Sequence, residues 1–503
     1  MKLTKEVVYL VLFSILIQVF LSCQSKKEIQ PEEDVQRPYN VLFIAVDDLR
    51  NELNCYGASH IKSPNIDRLA ADGVRFTNAH VQQAICMASR ASVLTGIRPE
   101  RIGMYTGESV EDIIPDVLTM NRFFDQNGYE IASVGKIYHY EEDTKSQFGD
   151  TYIDPVPTWK GKGYVTKAGF KSLELNTKPG NGLAYEAAQV HDTMYPDGIN
   201  TLNAMRKLEV LKKGDKPFFM AVGLTKPHLP FNAPQKYWDM YPVASVKLTD
   251  LKERPRNTSK YTVRPGGELT NYYGMPDTFK DVPDSTALVL RRGYYACVSY
   301  IDAQVGHLLE KLDELGFKEN TIVVLWGDHG YKLGDYNSWC KWSNMDIDTN
   351  IPLIFNVPNG AKGEVYTDPV EALDIYPTLA GLCNLKQPEH LEGKSLVHVL
   401  NNPKQKLKAK AYAYSIWPDN RWTYDKTVMG YSLKDERFNY VEWVKLKTGE
   451  VLERELYDHK TDPKETKNVI GDATYGSVIL ELAQKVKERK EATDHNHNFK
   501  NLR

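Results

Sequence analysis

The sequence predicts an α/β fold: a large, mostly parallel central sheet flanked by helices, followed by a smaller C-terminal α+β subdomain with an antiparallel sheet. Three observations predict it. First, four apolar runs, Asn40–Val46, Glu130–Val134, Pro217–Leu224 and Thr321–Trp326, have the length and composition of strands buried on both faces. Second, helical spacing falls between such runs. It is clearest over Tyr294–Leu315, where Val298, Ile301, Val305, Leu308 and Leu312 share a face and Gly316 supplies a stop. Third, the pattern changes after about residue 405. Ala411–Ser415, Thr427–Ser432, Arg437–Val444 and Arg454–Tyr457 read as short antiparallel strands, and Ser477–Ala492 as a terminal amphipathic helix.

A length of 503 residues with 42% hydrophobic content supports a sizeable core in about two or three domains. The formal net charge of −3 gives no electrostatic case for a nucleic-acid partner, so an anionic ligand would need a local cluster of cations. The expected plan is a targeting segment at 1–22, a tether at 23–37, a catalytic domain at 38–405 and the subdomain at 406–503. Lys2 and Lys5 precede the apolar run Val7–Leu21, which Ser14 and Gln18 interrupt. That run is short for a bilayer span and reads as a signal peptide. Leu21-Ser22-Cys23 resembles a bacterial lipoprotein cleavage site, although Phe20 stands where such sites usually carry Leu. On this reading, lipid on Cys23 anchors an exported protein in the outer membrane of a Gram-negative bacterium, on its periplasmic or surface face. Ordinary cleavage nearby is the alternative. The polar stretch Gln24–Arg37 then serves as a flexible tether.

Each of the four strands runs directly into residues capable of chemistry: Asp47-Asp48, Lys136, Lys226 with His228, and Asp328-His329. Ligands of open α/β sheets bind at the carboxyl ends of strands, so these groups can converge although they are far apart in sequence. Taken singly, the aspartates could be a turn pair and His228 a packed histidine. An oxygen-rich set of this kind suits Ca²⁺ or Mg²⁺ better than zinc. Six cysteines are present, and Cys55, Cys297, Cys340 and Cys383 fit no zinc spacing. They could pair in an oxidising compartment or stay as buried thiols.

Cys86 precedes a helical stretch that reads as starting near Ser89. By position alone it is either a reactive low-pKa thiolate or a buried thiol. The run Cys86-Met87-Ala88-Ser89-Arg90-Ala91-Ser92-Val93-Leu94-Thr95-Gly96 carries a specific resemblance. It resembles the signature of type I sulfatases of the alkaline phosphatase superfamily, in which such a cysteine is oxidised to formylglycine. Ala88 stands where many members have Pro. Val46-Asp47-Asp48-Leu49-Arg50, Ser133-Val134-Gly135-Lys136, Lys226-Pro227-His228 and Gly327-Asp328-His329-Gly330 follow in family order. Lys136-Ile137-Tyr138-His139, Thr225–Phe231 and Lys341-Trp342-Ser343-Asn344 point to the iduronate-2-sulfatase branch, as does His329 where other members more often have Asn.

The resemblance implies an alkaline-phosphatase-like fold and a role for each matching residue. Asp47, Asp48, Asp328, His329 and the modified Cys86 would hold Ca²⁺. Arg90 would steady the hydrated aldehyde, Lys136 and Lys341 would bind sulfate oxygens, His139 would serve the hydrate hydroxyl, and His228 would protonate the leaving oxygen. Lys226 either takes part or only orients its loop. The implied partners are a sulfated polysaccharide or oligosaccharide and a formylglycine-generating or anaerobic sulfatase-maturing enzyme. The substrate is expected to be a glycosaminoglycan or an algal polysaccharide such as ulvan, selected by the Tyr152–Tyr195 and Leu248–Asp284 insertions. Two other functions stay open: a phosphate or phosphonate monoester hydrolase on the same fold, and a non-catalytic glycan-binding lipoprotein.

Overall fold

The computed structural model describes residues 38–105, 107–153, 163–178, 181–404, 412–418 and 428–495. The expected targeting segment and tether with Cys23 lie outside these residues, as does the boundary expected at 405/406. Among the described residues no helix is long and apolar enough to cross a membrane.

The apolar runs form the expected strands. In chain order the central sheet contains β1 (Asn40–Val46), β2 (Val74–His80), β3 (Glu130–Gly135), β4 (Tyr152–Ile153), β5 (Phe218–Leu224), β6 (Thr321–Gly327), β7 (Asn350–Asn356), β8 (Glu364–Tyr366) and β9 (Val370–Glu371). The spatial order is β8-β2-β7-β6-β1-β5-β3-β4, with β9 also paired to β2. All pairs are parallel except those of β7, which runs antiparallel to both β2 and β6. Successive side chains of a strand point to opposite faces, and here both faces are covered. Val41, Phe43 and Ala45 enter one buried cluster, and Leu42, Ile44 and Val46 enter the other.

Three helices matter for the site: α1 (Cys86–Thr95), α2 (Asp284–Glu314) and α3 (Gly476–His495). The helix α2 begins ten residues before the expected start, because Leu290 and the Tyr294 region also bury against the sheet. It stops as expected before Gly316, which has a φ of 69°. The C-terminal part forms an antiparallel sheet of β10 (Ala413–Pro418), β11 (Val428–Lys434), β12 (Phe438–Lys445) and β13 (Glu450–Asp458), in that order. On one side Leu433, Tyr440 and Leu456 pack with Leu482 and Val486 of α3. On the other, Trp417 and Trp443 join the buried cluster that contains Phe43 and Trp326. The sheet therefore braces the main core. Ile416 N and Ser415 Oγ donate to the carbonyls of Gln82 and Val81, just upstream of Cys86.

Candidate active site

Register explains why the strand-end residues meet. Val46 pairs with Leu224 of β5 and with Gly327 of β6, and Gly135 of β3 pairs with Gly223. Four neighbouring parallel strands thus end at one level, and the residue after each end lies on the same edge of the sheet. Asp48 has a left-handed φ of 59°, which short polar side chains tolerate better than most, and its N–H donates to Asp328 Oδ1 at 2.9 Å. Gly223 is required by space: a Cβ there would lie 1.9 Å from the Lys136 carbonyl oxygen. Gly223→Ala therefore displaces the backbone that carries Lys136. The expected result is a loss of about 1–3 kcal/mol in unfolding free energy, read by denaturant titration, together with slower turnover.

Helix α1 begins at Cys86 itself, three residues earlier than expected, with extended Ile85 before it. Cys86 thus sits among the free N–H groups of a helix start, a setting that favours negative charge. Four residues on, Arg90 occupies the same helix face. Its Nε donates to Asp328 Oδ2 at 2.8 Å, and Nη1 bonds the carbonyls of Lys136 and Ile137. Arg90 is fully buried and anchors the β3 and β6 ends to α1.

Around Cys86 the donors converge. Its Sγ lies 3.1 Å from His329 Nε2 and 4.0 Å from Asp48 Oδ1. One ligand atom from each of Asp47, Cys86, Asp328 and His329 falls within 4.8 Å of the others. His329 Nδ1 meets the Gly330 carbonyl at 2.9 Å, so Nδ1–H donates there and Nε2 presents its lone pair to the cluster. Lys136 Nζ is 2.6 Å from Asp47 Oδ2, and Lys341 Nζ lies 2.9 and 3.1 Å from the two Asp48 oxygens. Burial pushes the Asp47 carboxyl up, but Lys136, His228 and Arg90 outweigh it and hold the group well below the usual carboxylate range. Burial, reinforced by Asp47, pushes the Cys86 thiol well above its ordinary value. Both causes favour the neutral thiol over the thiolate.

His228 borders the cluster, with a ring nitrogen within 4.8 Å of a ligand atom of Asp48 and of Cys86, and it lines a cavity of about 550 Å³. His139 lines the same cavity, its Nδ1 buried without a hydrogen-bond partner. Burial, helped by Lys136, lowers the His139 pKa to about 2, so this imidazole is neutral at working pH. Both expected insertions reach the cavity, through Tyr152, Asn181 and Tyr195 from one and Glu268 and Tyr272 from the other. Lys226 lines the cavity too, but its Nζ is turned onto its own loop and donates to the carbonyls of His228 (2.5 Å) and Pro230 (2.7 Å). Its role is to hold the loop that carries His228. All five described cysteines, Cys55, Cys86, Cys297, Cys340 and Cys383, are free thiols.

Sequence reading missed two residues here. Asp197 accepts from the backbone N–H groups of Thr225 and Lys226 and so fixes the His228 loop. Glu268 lies between Lys341 (3.0 Å) and His228 (3.2 Å). Burial would raise its pKa, but His228 and Lys341 bring it down to about 2. The available signal was that Glu268 falls in the second insertion.

A buried oxidisable cysteine, flanked by an acidic donor cluster and fixed cations at the carboxyl edge of an α/β sheet, defines a sulfuric ester hydrolase. The chain belongs to the Sulfatase family, whose profile matches residues 39–385, and residues 334–492 match the N-sulphoglucosamine sulphohydrolase C-terminal profile. It is 32% identical to iduronate 2-sulfatase of Mus musculus over 88% of this chain and 93% of that one. The fold is shared with two solved structures, each 22% identical. One is a protein in complex with its substrate D-glucosamine-2-N,6-O-disulfate (TM-score 0.72, covering 92% of this chain and 99% of that one). The other is a phosphonate monoester hydrolase from Silicibacter pomeroyi (TM-score 0.73, 90% and 96%).

Proposed function

We propose that this enzyme removes sulfate from a sulfated carbohydrate, using Cys86 oxidised to formylglycine and a bound Ca²⁺. The observation that carries the reading is the convergence of Cys86 with Asp47, Asp48, Asp328 and His329 opposite Lys136, Lys341 and His228. The donor set fits the ion. Three carboxylates supply hard oxygen ligands, His329 offers a lone pair, and oxidation of Cys86 exchanges a soft sulfur for oxygen. Charge fits as well: the carboxylates of Asp47, Asp48, Asp328 and Glu268 exceed the fixed cations Arg90, Lys136 and Lys341 by one. A divalent ion turns that balance positive, as a sulfate ester requires. The ion supplies Lewis-acid charge compensation, and the hydrated aldehyde supplies a geminal diol as nucleophile.

The chain's own residues do the rest. Arg90 keeps the Cys86 helix and the Lys136 backbone in register. The Lys136 and Lys341 ammonium groups offset charge on the sulfate oxygens as the ester bond lengthens. His228 Nε2 faces the cavity and gives its proton to the departing sugar oxygen. Neutral His139, whose Nδ1 is buried without a partner, accepts a hydrogen bond from the nucleophilic hydroxyl and orients it.

The substrate class follows from likeness to iduronate 2-sulfatase: a 2-O-sulfated uronate of a glycosaminoglycan or of an ulvan-type polysaccharide. Export, lipid on Cys23 and a maturing enzyme acting on Cys86 belong to the same proposal, supported by the residue 1–23 pattern and the Cys86–Gly96 signature. Sulfate release from a panel of defined sulfated oligosaccharides by matured enzyme tests it. The expected result is turnover of at least one sulfated uronate, with the matched phosphate and phosphonate esters slower. Faster phosphate or phosphonate turnover would assign the chain to the other chemistry found on this fold.

A further inference from the structure

Resting on that sulfatase reading, we propose that Glu268 is a positioning residue for ester cleavage: anchored by the Lys341 ammonium, its carboxylate orients the His228 imidazole.

The His228 ring has an acceptor at each nitrogen. Nδ1 lies 2.6 Å from the Leu229 carbonyl oxygen, and Nε2 lies 3.2 Å from Glu268 Oε1. An acceptor at each nitrogen fixes the plane of the ring, and the one at Nε2 is a side chain that can give way to an ester oxygen. The other Glu268 oxygen accepts from Lys341 Nζ at 3.0 Å. Lys341 is itself held by both Asp48 oxygens, so it anchors the carboxylate, and the carboxylate orients the acid. The 3.2 Å contact is loose enough for an arriving ester oxygen to share the Nε2–H. In the step itself the nucleophilic hydroxyl oxygen bonds sulfur as the bond from sulfur to the sugar oxygen breaks; the sugar oxygen keeps that electron pair and takes the proton from Nε2, which leaves the ring neutral. Glu268 exchanges no proton and holds the ring in place throughout.

The backbone around Glu268 is built for this. Glu268 opens a short 3₁₀ turn, Glu268–Asn271, whose Leu269 is buried. A Cβ on the preceding Gly267 would fall 1.9 Å from the Trp342 ring, so this segment is pressed against the residue that follows Lys341. Thr270 Oγ1 closes the turn by donating to the Gly267 carbonyl. Glu268 is thus fixed beside Lys341 by packing rather than reaching it from a free loop.

The test uses full-length, matured, calcium-loaded enzyme and Glu268→Gln, which keeps shape but removes the charge. Sugar alkoxides leave badly and need protonation, whereas 4-nitrophenolate leaves without it. The expected result is a fall in kcat of about 10²-fold on a sugar sulfate, with less than about a threefold change on 4-nitrophenyl sulfate and in both KM values. Because Glu268 acts through His228, the double variant H228A/E268Q should be no slower than H228A. Equal losses on both substrates, a change in KM alone, or additive losses would overturn the proposal. If Glu268→Gln melts early, Glu268→Asp supplies the same comparison, with a smaller selective loss expected. A wild-type enzyme that cleaves phosphate esters instead would overturn the sulfatase reading alone, and the same ratio would then be read on sugar and aryl phosphates.

Discussion

Cys86→Ala is expected to abolish sulfate release while leaving the protein folded. Cys86 is the first residue of α1 and almost completely buried, and burial, reinforced by Asp47, pushes its thiol well above its ordinary value. A neutral thiol is a poor nucleophile, which accords with the proposal that the residue serves the reaction after oxidation. Alanine offers neither thiol nor aldehyde, and the remaining cations can bind sulfate without cleaving it. The expected loss in kcat is on the order of 10⁴-fold or more, as when a covalent nucleophile is removed. The side chain is small, so unfolding free energy should shift by only about 1 kcal/mol. Two further measurements sharpen the result. Wild-type protein made without a maturing enzyme should be as inactive as the alanine variant. Peptide mass of the active protein should show the Cys86 thiol replaced by an aldehyde. An unmatured thiol enzyme with full activity would sink the formylglycine reading.

Much of this site was legible because it hangs on strand ends. Parallel strands buried on both faces leave long apolar runs, and the residues that stop them, Asp47, Lys136 and Asp328, are also those brought to one edge by register. What stayed hidden depends on contacts without a local pattern. The antiparallel course of β7 leaves no mark on its own sequence, since Ile351, Leu353, Ile354 and Phe355 would be buried in either direction. Lys226 follows a strand as Lys136 does, yet it turns back onto carbonyls of its own loop. Glu268 is charged and sits in an irregular insertion, so only the approach of Lys341 and His228 distinguishes it from a surface acid. Motif reading finds residues that chemistry places at element ends. It does not find partners recruited from loops.

His228→Ala should give the second large effect, a fall in kcat of about 10²–10⁴-fold on sugar sulfates. The assignment rests on the contrast between the two histidines of the cavity. His139 is lowered to about 2 by burial and by Lys136, so around neutral pH its ring is no cationic acid and its free Nδ1 can accept a hydrogen bond. His228 has an acceptor at each ring nitrogen and a carboxylate at the nitrogen facing the cavity, which suits a donor. The two variants should therefore differ in kind. Loss of His228 is felt at the leaving group and should be small on 4-nitrophenyl sulfate. Loss of His139 is felt at the nucleophile and should slow both substrates alike. A leaving-group series run on His228→Ala and His139→Ala checks this directly: a steeper dependence on leaving-group pKa is expected for the first and an unchanged slope for the second. The reverse pattern would exchange their roles, and equal slopes would remove proton donation by either histidine.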